Sequence, residues 1–345
     1  MDASADLLVE RRGQAGFITL NRLRALNALT HEMILGIDAA LDAFQRDGDV
    51  RRIVIKGAGE RAFCAGGDIK ALYEWGRSGR RDLMLALWRD EYILNARIAR
   101  FPKPVTAIVD GLAMGGGVGL FIHAGVRVTS EFGSFAMPEV GIGLFPDVGA
   151  THPLSRLPGG VGAYLAVTGL GADAADMRGL GLAGHGVARD GLGAFEAALE
   201  GDGAGEAIEA ARADFGPSRL MALAGEIGPA FAAGSRAGLL ASLAQIPRPW
   251  AAEALKALNE KSPTSQAIAL RQIASARSMT LEDVLRQDFR IVWRIAHGGE
   301  FLEGVRAAVI DRDKAPRWAP FDAAAADAHF APLGADELML QGRPQ

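Results

Sequence analysis

A single cysteine, Cys64, in 345 residues leaves no partner for an internal disulfide and too few thiolates for a cysteine-built zinc site. The six histidines are scattered without an HxxxH or HxH pair, so a histidine-based metal site has no sequence footprint either. No apolar run approaches the ~18 residues that a membrane-spanning helix requires. Basic residues are not in excess: Lys+Arg number 37 against 41 Asp+Glu, for a net charge of −4, and no segment gathers the arginines on one face. The electrostatic footprint of a nucleic-acid or anionic-membrane binder is therefore missing. Near the start, Asp2, Asp6 and Glu10 stand where a secretory signal would carry basic residues before an apolar run, and the expectation is a cytoplasmic protein. Phosphate-binding loops are absent as well. GAGERAFCAGGD lacks the Gly-Lys-Ser/Thr of a P-loop, and MGGGVGLF lacks the GxGxxG spacing of a dinucleotide fold.

What is present is ample core material, 49% hydrophobic and 23% charged, punctuated by 44 glycines and 15 prolines with no collagen period. This composition predicts a loop-rich α/β enzyme. GFITL (16–20) and RIVIK (52–56) read as strands. Between them Thr30 caps a helix with Met33, Ile37, Leu41 and Phe44 on one face, so the strands should run parallel. The second strand is followed by the turn Gly66-Gly67-Asp68 and a helical IKALYEW. The same order recurs roughly 50 residues later, as Val105–Val109, Gly115-Gly116-Gly117 and VGLFIHA. Past about residue 190, β-branched runs give way to alanine-rich helical stretches at 204–215 and 250–260. Ser262-Pro263 opens one helix, and Thr280 with Asp283 opens another that stops at Gly298-Gly299. The boundaries drawn are residues 1–200 for an α/β core and 201–345 for a mainly helical region.

Two places could carry chemistry. The glycine turns each set backbone N–H groups after a strand and at a helix start, where they lack an intrahelical acceptor. Facing one another, they could hold a carbonyl oxygen that gains negative charge; tight strand-to-helix packing, which alone explains most glycine turns, is the reading that spacing favours. The second place is FAMPEVGIGLFPDVG (135–149). Glu139 and Asp147 each follow a proline among apolar residues, where desolvation would raise a carboxyl pKa into the range of a general base. A helix-start carboxylate for Glu139 and an ordinary Pro-Asp turn for Asp147 are the structural alternatives. Cys64 reads as a small buried side chain, His123 and His152 as hydrogen-bonded structural residues, and Glu91 as a solvated helix carboxylate.

Four motifs occur in a fixed order: LNRLRALNALT (20–30), AFCAGGDI (62–69), KPVTAIVDGLAMGGGVGL (103–120) and FAMPEVGIGLFPDVGAT (135–151). Together they resemble the enoyl-CoA hydratase/isomerase, or crotonase, superfamily. EYILN (91–95), FPDVG (145–149), SPTSQAIALRQI (262–273) and FLEGVRAAVIDRDKAPRW (301–318) are similar to its 3-hydroxyisobutyryl-CoA hydrolase branch. The resemblance implies a spiral of repeated ββα units with a helical C-terminal region and an acyl-CoA thioester as substrate. It implies no cofactor beyond the coenzyme A of that substrate, and it leaves a homo-oligomer open. It assigns the N–H groups of Ala65 and Gly116 to an oxyanion hole, and Glu139 and Asp147 to catalysis. Glu91, Gly67, Asp68, Arg24, Ala25 and Leu26 are assigned to substrate binding, with Asn27 continuing the same wall. Arg24 stands where relatives usually carry lysine, a planar fork in place of a point charge. Hydratases of the superfamily carry a second glutamate where this chain has Gly119, so hydrolysis of the thioester is the expected reaction. Hydration or isomerisation of an enoyl-CoA on the same fold, and acyl-CoA binding without turnover, are the alternatives.

Overall fold

The computed structural model describes residues 5–340, so Asp2 lies outside the described residues. The chain forms two compact units, each assembled from several stretches. The first comprises the described parts of Met1–Gly67, Leu94–Ala136 and Ala172–Leu220; the second, those of Asp68–Ile93, Met137–Gly171 and Met221–Gln345.

Among the described residues there are ten strands, all in the first unit save Gly171 at the start of β9: β1 (Leu7–Arg12), β2 (Ala15–Leu20), β3 (Arg52–Gly57), β4 (Ala62–Cys64), β5 (Val105–Val109), β6 (Leu112–Met114), β7 (Val126–Thr129), β8 (Ser134–Ala136), β9 (Gly171–Asp173) and β10 (His185–Gly186). They form two sheets, ordered β1-β2-β3-β5-β7-β10 and β4-β6-β8-β9. Each pair of consecutive strands from β3 to β8 therefore sends its first member to one sheet and its second to the other. Three successive ββ units stack, β3 on β5 on β7 and β4 on β6 on β8, all parallel, with one register shift between Ala62 and Cys64 of β4. This is the ββα spiral implied by the motifs. The fully buried strands β2 and β5 read as continuous apolar runs, as strands covered on both faces do. The helix His31–Arg46 has the expected cap, Thr30 Oγ1 accepting from Met33 N–H at 3.2 Å, and buries Met33, Ile37, Leu41 and Phe44.

The second unit is largely helical. Ser262 caps the helix Pro263–Ala276 by accepting from Ser265 N–H at 3.0 Å, and Thr280 caps Leu281–His297 by accepting from Asp283 N–H at 3.2 Å. The latter ends at Gly298, as its sequence signals. Among the described residues no helix is long and apolar enough to cross a membrane.

Candidate active site

The glycine turns lie in the first unit, and the sheet explains their arrangement. β4 and β6 are parallel neighbours, so the segments that leave their C-terminal ends emerge side by side. A Cβ built on Gly66, which has φ +99, would lie 3.2 Å from Met114 O and 3.6 Å from Gly116 N. A Cβ on Gly117 would sit 2.4 Å from Cys64 O, which a real side chain could not do. Glycine here permits the close approach of two backbones.

The donors differ in one place from the sequence reading. Ala65 N–H donates to Leu26 O at 3.0 Å, so it is already used in joining the turn to the segment before it. Two residues on, Gly67 N–H has no acceptor among the described residues, and a Cβ there would meet nothing within 4 Å. Gly116 opens the helix Gly116–Ile122, and its N–H likewise has no acceptor among the described residues. The pair able to receive a developing oxyanion is thus Gly67 and Gly116, with Ala65 as support. Spacing alone could not distinguish Ala65 from Gly67, because the competing Leu26 carbonyl comes from a distant loop.

The segment 24–27 is shaped by the same contact. Leu26 and Asn27 adopt left-handed backbone angles, φ 51 and φ 58. Buried Asn27 donates through Nδ2 to Ala58 O at 3.0 Å and Ala62 O at 2.8 Å. Ala25 sits in the same short 3-10 turn, and Arg24 is exposed and paired with Asp6 at 3.2 Å. Cys64 is fully buried, its thiol directed to Gly66 O at 3.6 Å, and His123 caps the helix Gly116–Ile122.

The carboxylates lie in the second unit. Glu139 starts a 3-10 turn, Glu139–Ile142, and is 5% exposed; its Oε2 has no partner among the described residues. Burial, reinforced by the charge of Asp147, holds its pKa well above the ordinary carboxylate range. Glu91 is also buried and raised by the same two causes, with Oε1 unpartnered among the described residues, so the expectation of a solvated side chain is overturned. The helix Arg81–Ala99 turns this residue inward together with Tyr92. Tyr92 OH donates to Asp147 Oδ2 at 2.7 Å. Burial pushes Asp147 up to about 6, and the Tyr92 hydrogen bond restrains the rise. The charge of Asp147 thus disfavours ionisation of Glu91 and Glu139, the electrostatic setting that acid–base chemistry uses.

Asp147 sits in the turn Pro146-Asp147-Val148-Gly149, closed by Ala150 N–H donating to Asp147 O at 2.9 Å. Val148 has φ +52, a left-handed angle that β-branched residues resist at a cost of about 1–3 kcal/mol. Asp288 from the helix Leu281–His297 accepts Gly149 N–H at 2.9 Å, and Gln272 Nε2 donates to Asp288 at 2.8 Å.

Tyr92, Asp288 and Gln272 were not singled out by the motifs. Tyr92 was legible in principle, since a buried tyrosine hydroxyl needs a partner. So was Asp288, which interrupts the apolar face formed by Val284, Leu285, Phe289 and Val292. Asp68 is an N-cap, accepting from Ala71 N–H at 3.2 Å, which engages the carboxylate expected at substrate. His152 has its pKa lowered, chiefly by burial. Among the described residues no group of three or more His, Cys, Asp or Glu side chains is placed to hold a metal ion.

The family described as enoyl-CoA hydratase/isomerase matches residues 15–331. A rat protein described as mitochondrial 3-hydroxyisobutyryl-CoA hydrolase is 43% identical over 92% of this chain and 86% of its own length. Two crystal structures superpose closely. One, described as an enoyl-CoA hydratase from Rhodobacter sphaeroides 2.4.1, is 40% identical with a TM-score of 0.92, covering 97% of this chain and all of its own (100%). The other, described as a carnitinyl-CoA dehydratase from Mycobacterium thermoresistibile, is 37% identical with a TM-score of 0.93, covering 99% and 100%.

Proposed function

The chain belongs to the enoyl-CoA hydratase/isomerase family, and on that footing we propose that it hydrolyses 3-hydroxyisobutyryl-CoA to the free hydroxy acid and coenzyme A. The observation that carries the reading is the buried trio Glu91, Glu139 and Asp147, in which Glu139 keeps an uncommitted oxygen and Asp147 is oriented by Tyr92. The second glutamate that a hydratase would use is glycine at position 119, inside a helix buried throughout.

In this reading the thioester carbonyl oxygen accepts from Gly67 and Gly116 N–H. Two such preorganised donors contribute several kcal/mol to the transition state, at roughly 3 kcal/mol each. Glu139 takes the proton of the attacking water, or adds to the carbonyl as an anhydride that water then opens; the C–S bond breaks and the thiolate leaves with a proton. Single turnover in H2(18)O tests for the anhydride, because label enters Glu139 only when water opens an anhydride at the Glu139 carbonyl. Asp147 orients the attacking water or the substrate hydroxyl, and Glu91 binds the acyl part. Arg24, Ala25 and Leu26 line the coenzyme A wall. No cofactor beyond the substrate's own coenzyme A takes part, and the site of action is the cytoplasm, a placement that fractionation of cells expressing the full chain checks against the mitochondrial naming of the rat relative.

The deciding measurement is release of free thiol from a panel of branched and straight 3-hydroxyacyl-CoAs. Thiol release fastest with the 3-hydroxyisobutyryl ester supports the reading. Loss of enoyl absorbance without thiol would make the chain a hydratase, and binding without either would leave it a non-catalytic acyl-CoA binder.

A further inference from the structure

Tyr92 fixes one oxygen of Asp147, but the carboxylate is placed only as well as the turn that carries it. That turn contains Val148 at φ +52 followed by Gly149 at φ +71, and its strained backbone needs an external restraint. The restraint comes from two helices. Asp288, fully buried, accepts Gly149 N–H through Oδ2 at 2.9 Å and Gln272 Nε2 through Oδ1 at 2.8 Å. The same Gln272 nitrogen reaches Pro146 O at 3.4 Å. Both ends of the four-residue turn are thereby tied to one carboxyl–amide pair. Among the described residues no cation pairs with Asp288, so its burial is costly, and an apolar side chain would suit a helix face made of Val284, Leu285, Phe289 and Val292. The carboxyl is explained by the donors it receives.

We propose that Asp288, supported by Gln272, is a positioning residue for the hydrolysis: it holds the Pro146–Gly149 turn so that the Asp147 carboxylate stays in its working orientation. The inference rests on the thioester hydrolase reading above.

A double-mutant cycle on the full chain tests it, with kcat and KM taken from thiol release on 3-hydroxyisobutyryl-CoA. D288A should lower kcat about 30-fold with KM within about 3-fold of the parent, and D147N/D288A should be no slower than D147N alone, because residues acting through one another do not add. D288N should recover to within about 5-fold of the parent. Its remaining oxygen still accepts Gly149 N–H, and its new amide can donate to Gln272 Oε1, unpartnered among the described residues, once the Gln272 amide turns over at the expense of the 3.4 Å contact to Pro146 O. Multiplicative losses in the double variant, an unimpaired D288A, or a D288N as slow as D288A each overturn the proposal. If D288A fails to fold, Q272M carries the test: about a 5-fold fall that vanishes in the D147N background supports it, and a fall that persists there overturns it. Loss of the inference with thiol release intact leaves the function standing; absence of thiol release from the parent chain overturns both.

Discussion

In the proposed site the first unit supplies oxyanion stabilisation through its main chain and the second supplies acid–base groups through its side chains, and the two are built by opposite means. Gly67 and Gly116 need only a sheet that brings β4 beside β6 and glycines small enough to let the turns meet. Their N–H dipoles are fixed by the fold and carry no net charge into the interior. Glu91, Glu139 and Asp147 come from a helix, a 3-10 turn and a strained loop, and each is ionisable where water is scarce. A main-chain donor pair is stable at any pH; a buried carboxyl group works only by being destabilised in its charged form.

The difference is sharpest at Glu139. E139Q should reduce thiol release by about a thousand-fold or more, on the scale of losing a base or nucleophile outright, while coenzyme A binding by calorimetry stays within a few-fold. A loss under ten-fold would shift the chemistry away from the second unit. Next is G116P. Proline fits the first position of a helix, removes that N–H and sets its own ring carbon where the hydrogen pointed, so kcat should fall at least about 100-fold, the loss usual for one oxyanion donor plus the obstructed carbonyl position. The third effect is on pH. With Asp147 pushed up to about 6 and active when ionised, turnover should decline as pH falls through that value, and D147N should lower the plateau and move the remaining limb, that of Glu139, to lower pH, because the Asp147 charge that helps to raise Glu139 is gone. An acid limb near pH 4 would place the working carboxylate in an ordinary solvated setting. The smallest effect concerns stability. Because the folded pKa of Asp147 lies above its unfolded value of 3.8, stability falls as pH rises from about 4 to about 6, by about 3 kcal/mol at neutral pH. D147N should therefore raise the midpoint of thermal unfolding by several degrees at pH 8 and leave it unchanged at pH 4. No corresponding pH-dependent gain is expected from G116P.

The same contrast governs what could be read from the sequence. The strands at 16–20 and 105–109, the Thr30, Ser262 and Thr280 caps and the paired glycine turns all depend on neighbours within a few residues, and local rules recover them. Glu139 and Asp147 stood out because apolar residues flank them in the chain itself. Asp288 and Gln272 act on a turn more than a hundred residues earlier, and nothing in their own segments names that turn. Glu91 shows the same limit from the other side: helical periodicity allowed an exposed carboxylate, and tertiary packing buried it. Ala65 was displaced as a donor for a similar reason, since the carbonyl that takes its N–H belongs to Leu26, on the far side of a helix and two strands.

The chain has a single sulfhydryl, and it is sealed at the end of β4 with no exposed surface. A disulfide reagent added to the native enzyme should therefore report only the coenzyme A set free, giving a flat baseline in the absence of substrate. In strong denaturant the same reagent should count one further equivalent per chain, so the colour change that follows turnover also measures how much of a preparation is unfolded.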